Sequence, residues 1–277
     1  MIIDAHHHLW EFNSTDFGWM DDTMDLLKKD YLPGDLEAEI VEVGVTGTVV
    51  VQARQLIEET AWLLEQAETH PFIKGVVGWL DLCSHELKTQ LDQFADHPKL
   101  VGLRHVIHDE PDENFMLRPA FLSGIEMLQT YDLTFDLLLF TKHLSHAKEL
   151  VRKFPEQRFV LDHMAKPFIK LGEIQPWKDH IESLAAHSNV WCKISGMVTE
   201  ADLAAWRYED FIPYMEVVFD AFGSKRIMLG SDWPVCKLAG AYKEILNIPL
   251  TFIAHLSESE RVDIISRNAI ECYQLEN

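Results

Sequence analysis

Gly47-Thr48-Val49-Val50-Val51-Gln52-Ala53 is apolar at nearly every position rather than at every second one. A strand with one wet face would alternate, so this run predicts a strand buried on both sides, as in a parallel sheet covered by helices. Leu137-Leu138-Leu139-Phe140 reads the same way. Outward from residues 47–53, similar runs occupy 2–5, 74–81, 100–106, 133–139, 159–163, 190–195 and 226–231, eight in all. The stretches between them carry helical periodicity. Leu87, Leu91 and Phe94 fall on one face after Ser84 as a cap, and Leu144, Ala147 and Val151 repeat the spacing. Thr199-Glu200-Ala201-Asp202 and Ser257-Glu258-Ser259-Glu260 read as capping boxes. Eight strands alternating with helices predict an α/β fold, a single-domain (β/α)8 TIM barrel spanning residues 1–277. A doubly wound open sheet is the alternative, but no glycine-rich dinucleotide loop or Walker loop follows any strand.

Composition narrows the class. The chain has 277 residues, 47% hydrophobic and 25% charged, so it can bury a large core and carries no signature of disorder. With 45 acidic residues against 24 basic ones the net charge is -21, which repels phosphate backbones and anionic lipid. Neither a nucleic-acid nor a membrane partner is expected; a small-molecule substrate is, and a homo-oligomer is left open. Cys83, Cys192, Cys236 and Cys272 lie far apart with no C-x-x-C pair, and read as buried thiols. No apolar window reaches membrane-spanning length, and residues 1–8 read as a strand ending in a site rather than a secretory signal, so the cytoplasm is the expected location.

In such a barrel, chemistry sits at the C-terminal ends of the strands. The first run ends in His6-His7-His8, where strand geometry turns His6 and His8 to one face and His7 away. The eighth ends in Gly230-Ser231-Asp232-Trp233-Pro234. Closure sets that strand beside the first, so Asp232 can meet His6 and His8 as both metal ligand and proton acceptor. His163, in Leu161-Asp162-His163, is either a third imidazole of this set or a satisfied core histidine. Arg104 and Lys193 are candidates to hold a carboxylate or polarise a carbonyl, or else to form structural ion pairs with Asp81 or Asp136. Gln52 is a candidate hydroxyl-binding amide, and Lys166 a further substrate contact. A long first loop, at about residues 9–33, carries Trp10, Phe12, Phe17 and Trp19; it either builds the substrate pocket or only packs over the barrel end.

Seven segments in order carry a resemblance. They are Ile3-Asp4-Ala5-His6-His7-His8-Leu9-Trp10, Val50-Val51-Gln52-Ala53, Gly75-Val76-Val77-Gly78-Trp79-Leu80-Asp81, Gly102-Leu103-Arg104-His105-Val106, Leu161-Asp162-His163-Met164-Ala165-Lys166-Pro167, Cys192-Lys193-Ile194-Ser195-Gly196 and Gly230-Ser231-Asp232-Trp233-Pro234-Val235-Cys236. Together the chain resembles the amidohydrolase superfamily, in its lactonase branch. The resemblance implies a (β/α)8 barrel, a central group of His6, His8, His163 and Asp232, and substrate contacts from Gln52, Arg104 and Lys193. It also implies one divalent metal, zinc, on His6, His8, His163 and Asp232, whose requirement differs among such enzymes. Phe135-Asp136-Leu137-Leu138 offers no fifth-strand histidine or lysine, which disfavours a two-metal centre.

The reading that follows is a hydrolase opening a small lactone of a sugar acid. Asp232 takes a proton from the attacking water and returns it to the departing hydroxyl, with His163 assisting. Two competing readings are a metal-dependent non-oxidative decarboxylase and a catalytically silent sugar-acid binding protein.

Overall fold

In the computed structural model, which describes residues 1–276, the eight apolar runs form one eight-stranded parallel sheet in sequence order. The strands are β1 (Ile3–His7), β2 (Gly47–Val51), β3 (Ile73–Gly78), β4 (Leu100–His105), β5 (Thr134–Leu137), β6 (Phe159–Leu161), β7 (Val190–Ile194) and β8 (Ile227–Leu229). Parallel neighbours need long crossovers. These are α1 (Pro33–Val43), α2 (Ile57–Thr69), α3 (Leu87–Phe94), α4 (Pro119–Gln129), α5 (Leu144–Lys153), α6 (Trp177–Ala185) and α7 (Tyr208–Phe222), with α8 (Tyr242–Phe252), α9 (Glu258–Val262) and α10 (Asn268–Tyr273) after the last strand. The fold is the expected (β/α)8 barrel. Most strands are shorter than their apolar runs because the last residues of each run leave the sheet for the loops above it.

Two apolar shells account for the doubly buried strands. Val50, Leu103, Phe135 and Leu161 belong to the larger core beneath the helices, to which α5 contributes Leu144, Ala147, Leu150 and Val151. Val49, Val51, Val77, Val101 and Val160 form a second cluster with Ile3 and Ala5. Cys272, Tyr273 and Leu275 pack into that same cluster and plug the barrel. Full burial of each such Val or Leu is worth about 1.5–3 kcal/mol.

Closure depends on polar groups, since β8 has only three residues. His7 bridges Trp233, His8 N–H donates to the Trp233 carbonyl at 2.6 Å, and Asp232 N–H donates to the His6 carbonyl at 2.8 Å. The buried Asp4 carboxylate accepts the Ser231 N–H (2.8 Å), the Ser231 hydroxyl (2.6 Å), the Tyr242 hydroxyl (2.9 Å) and the His6 N–H (3.1 Å). First strand, last strand and α8 are thereby locked together.

One predicted helix start is corrected. Thr199-Glu200-Ala201-Asp202 opens no α-helix: Val198–Glu200 makes a single 3-10 turn, and α7 begins at Tyr208. The Thr199 hydroxyl donates back to the Gly196 carbonyl at 2.8 Å instead of accepting from a helix N–H. The Ser257 box forms as predicted, with Glu260 N–H on Ser257 Oγ and Ser257 N–H on Glu260 Oε2. The first loop folds on itself through a Trp10–Tyr31 bridge and a 3-10 turn at Asp22–Leu27. All four cysteines are free; Cys192, Cys236 and Cys272 are buried as expected, whereas Cys83 is only half-buried, and among the described residues no helix is long and apolar enough to cross a membrane.

Candidate active site

A register irregularity in β1 between Asp4 and His7 decides where the histidines point. Ile3 and Ala5 face the barrel interior, and strict alternation would send His7 after them. Instead His7 turns away, its Nε2 2.9 Å from Thr48 Oγ1, while the His6 and His8 Nε2 atoms lie 3.3 Å apart. His8 Nδ1–H donates to the Val51 carbonyl at 2.8 Å, which leaves Nε2 as the ring atom that faces the group.

His163 arrives by a different device. His163, Met164, Ala165 and Lys166 all have left-handed φ (52°, 53°, 58° and 50°) directly after β6. Each such non-glycine residue costs about 1–2 kcal/mol, the kind of strain that persists where the surroundings impose it. Lys166 N–H closes the turn on the His163 carbonyl at 2.8 Å, and Trp177 Nε1–H holds the Met164 carbonyl at 2.7 Å. The turn brings both His163 and Lys166 to the cavity wall. Gly196 must be glycine here, because a Cβ on it would lie 2.5 Å from His163 Nδ1.

Asp232, itself at φ 59°, is the point of convergence. Its Oδ1 lies 3.4 Å from His8 Nε2, 3.8 Å from His6 Nε2 and 3.9 Å from His163 Nε2. Burial pushes the His163 imidazole down to about 4 and holds His6 well below its usual range, so both are neutral at pH 7. Burial alone would raise the Asp232 carboxyl; His163, His8 and His6 outweigh it and hold the group well below the usual carboxylate range. On the far side of the His163 ring, Ser195 Oγ lies 2.9 Å from Nδ1.

The donor atoms of His6, His8 and Asp232 lie within 4.8 Å of one another, as do those of His6, Asp162 and His163. Two imidazoles and a carboxylate suit a divalent ion such as zinc. The outer nitrogens are also in character: His8 Nδ1 is committed to a carbonyl, and His6 Nδ1 lies 3.3 Å from Asp162 Oδ1. The residues present therefore fit a single metal.

The remaining predicted contacts separate. Lys166 and Arg104 line the cavity, which has a volume of about 800 Å³. Arg104, however, directs its N–H groups at the protein: Nε and Nη2 at Gln52, Nη1 at Asp162 Oδ2 (3.0 Å) and His6 Nε2 (3.3 Å). Gln52 and Lys193 are fully buried and do not line the cavity. Gln52 holds the guanidinium of Arg104. Lys193 sits between Asp136 and Asp162 (3.0 Å), with its Nζ 3.3 Å from His6 Nδ1. Of the two roles open to Lys193, the structure gives the ion pair with Asp136.

Several wall residues have no forecast role in the sequence: Arg54, held by Asp16 (2.7 Å) and by the buried Glu59 (3.1 Å), Glu200, which holds the predicted Lys166 (2.9 Å), and His108, which stacks on Phe140. Burial pushes His108 down to about 3. Trp10 and Trp19 from the first loop both reach the cavity, so that loop packs the barrel end and also walls the pocket.

With this geometry in place, the similarities are informative. A family model described as amidohydrolase matches residues 3–275. The chain is 39% identical to an L-fucono-1,5-lactonase of Burkholderia ambifaria, over 87% of this chain and 82% of that protein. It is 34% identical to an L-fucono-1,5-lactonase of Burkholderia multivorans, over 99% of this chain and 96% of that one. The crystal structure of an amidohydrolase from Burkholderia multivorans with bound zinc superposes with a TM-score of 0.95 at 34% identity, covering 100% of both chains.

Proposed function

Because the chain belongs to the amidohydrolase family, we propose that its cavity hydrolyses the lactone of a sugar acid. One observation carries the reading: three imidazole Nε2 atoms surround a single buried carboxylate oxygen at the open end of the barrel. The lactonases it resembles support the same choice.

In this reaction a water adds to the ring carbonyl and its proton passes to Asp232, which is ionised at neutral pH. The ring C–O bond then breaks, and Asp232 returns the proton to the departing ring oxygen. His163 is neutral, so with the Ser195 hydroxyl donating to Nδ1 its Nε2–H is free to bond the carbonyl oxygen as negative charge builds there. Arg104 acts by position: Gln52 and Asp162 fix its guanidinium beside His6. His6, His8 and Asp232 would hold a divalent metal, zinc being the natural fit; such an ion supplies Lewis acidity and lowers the pKa of water. Trp19, exposed at the cavity and backed by the buried Trp10, offers an aromatic surface to the C–H side of a sugar ring.

Opening a lactone yields an acid that ionises, so turnover releases one proton. A panel of aldono-1,4- and 1,5-lactones followed by proton release tests the proposal, with L-fucono-1,5-lactone expected to turn over. Absence of turnover on every member, by folded protein with and without added zinc, would overturn it.

A further inference from the structure

The cavity wall carries three permanent cations, and each is already matched. Arg54 is held by Asp16 and Glu59, Arg104 by Asp162, and Lys166 by Glu200, with N···O distances of 2.7–3.1 Å. Arg104 has its five N–H groups committed to Gln52, Asp162 and His6. Four carboxylates, Asp16, Asp109, Glu200 and Asp232, line the same wall. Apart from a metal on His6, His8 and Asp232, each cation of the wall thus already carries a carboxylate, and an anionic group on a substrate would have to compete with that carboxylate for it. A carboxylate entering this space would lose its water, face acids of its own sign and have to displace one of them from its cation.

We propose that the Lys166–Glu200 pair is a charge filter that restricts the cavity to lactones without a carboxylate. This rests on the lactone-hydrolase reading and adds to it a residue-level cause of selectivity. Lys166 is the cation that a single change can release. Arg54 has two carboxylate partners and Arg104 a full set of acceptors, whereas Lys166 is held by one side-chain oxygen, at 2.9 Å. Its side chain is 16% exposed and that of Glu200 is 20%, so neither is screened as a surface pair would be. The left-handed turn at 163–166 sets the lysine at the wall, where its Nζ donates to Glu200.

The test compares galactono-1,4-lactone with galactaro-1,4-lactone of the same configuration, which differ only in an exocyclic hydroxymethyl or carboxylate. Wild-type protein should favour the neutral lactone in kcat/KM by roughly a hundredfold, the scale of a like-charge clash in a confined site. Glu200→Gln should narrow that ratio by about tenfold, the worth of one new charge-assisted hydrogen bond. Adding Lys166→Met to Glu200→Gln should restore the original ratio, since the released cation would be gone. Equal use of the two lactones by wild type, or an unmoved ratio in folded Glu200→Gln, overturns the filter while lactone hydrolysis stands. Should Glu200→Gln not fold, Glu200→Ala removes the same carboxylate and is read in its place. If neither lactone is turned over, the hydrolase reading fails by itself, and calorimetric titration of the same pair still decides. Galactaro-1,4-lactone that gains no affinity in the Glu200 variant, or the absence of heat with either lactone, counts against the filter.

Discussion

Lys193, Asp136 and Asp162 form a charged layer inside the barrel whose side chains are wholly buried, each bound to another member of the layer. Nearer the strand ends, His8, His163 and Asp232 are 4–7% exposed by side chain and line a cavity. The layers touch at His6, whose Nδ1 faces Lys193 and Asp162 and whose Nε2 faces His8 and Asp232. Both layers are made of residues from strand interiors or strand ends, and their chemistry is of the same kind. What separates them is unfinished bonding: the lower layer consumes its own charges, and the upper one keeps atoms aimed at empty space. A charged residue at a strand end is evidence for a site only when its partners leave something over.

Asp232→Asn sharpens the contrast most. The amide keeps the shape but cannot take a proton, so kcat/KM for lactone opening should fall on the order of 10³-fold. The urea midpoint should move little, because Asp232 supports no other buried charge. A loss of several kcal/mol of stability would instead place Asp232 with the sealed layer.

Lys193→Met probes the opposite end. Without the ammonium, Asp136 and Asp162 share a dry interior, and breaking a buried pair in this way costs about 3–5 kcal/mol. Chemical denaturation should show that loss. A variant with wild-type stability and a raised KM would mean that Lys193 reaches substrate after all.

These two substitutions also mark how far the chain could be read before it folded. All eight strands were legible, because burial on both faces writes itself as continuous apolar sequence. So was the meeting of His6, His8 and Asp232, since barrel closure puts the last strand beside the first. Depth along the barrel axis was not legible. Lys193 and Arg104 both read as strand-end cations, yet one lies sealed and the other reaches the wall, a difference set by strand stagger that no residue pattern encodes. Glu200 was hidden for another reason. Its neighbours mimic a capping box, and its real partner, Lys166, is brought near by a left-handed turn of four non-glycine residues that no propensity favours.

Protonation offers a gentler way to separate the two sides of the barrel wall. His7, buried behind it, is pushed down to about 3, and His163, at the cavity, to about 4, in both cases by burial. An unfolded histidine titrates near 6.5, so below that pH the unfolded chain binds protons that the folded chain refuses. The stability held above pH 6.5 is therefore lost as pH falls from 6.5 toward the folded values. Between pH 8 and pH 5 the loss should be about 2 kcal/mol for each histidine. Urea midpoints at the two pH values measure it, and His7→Gln should remove the His7 share. An unchanged pH dependence in that variant would show that His7 titrates alike in the folded and the unfolded chain.

The smallest expected effect asks whether the sealed layer takes part in chemistry at all. The Tyr273 hydroxyl donates to Asp136 Oδ2 at 2.7 Å, the same oxygen that Lys193 holds, and so connects the barrel plug to the underside of His6. Tyr273→Phe removes one hydrogen bond while leaving the ring and the ion pair in place. The cost in stability should be about 1 kcal/mol. If the lower layer only supports the barrel, kcat/KM should stay within about twofold, because Lys193 still neutralises Asp136 and still faces His6 Nδ1. A tenfold fall in kcat/KM at nearly constant stability would mean that charge in the lower layer sets the properties of His6. The two layers would then be one device, divided by burial and joined through the imidazole of His6.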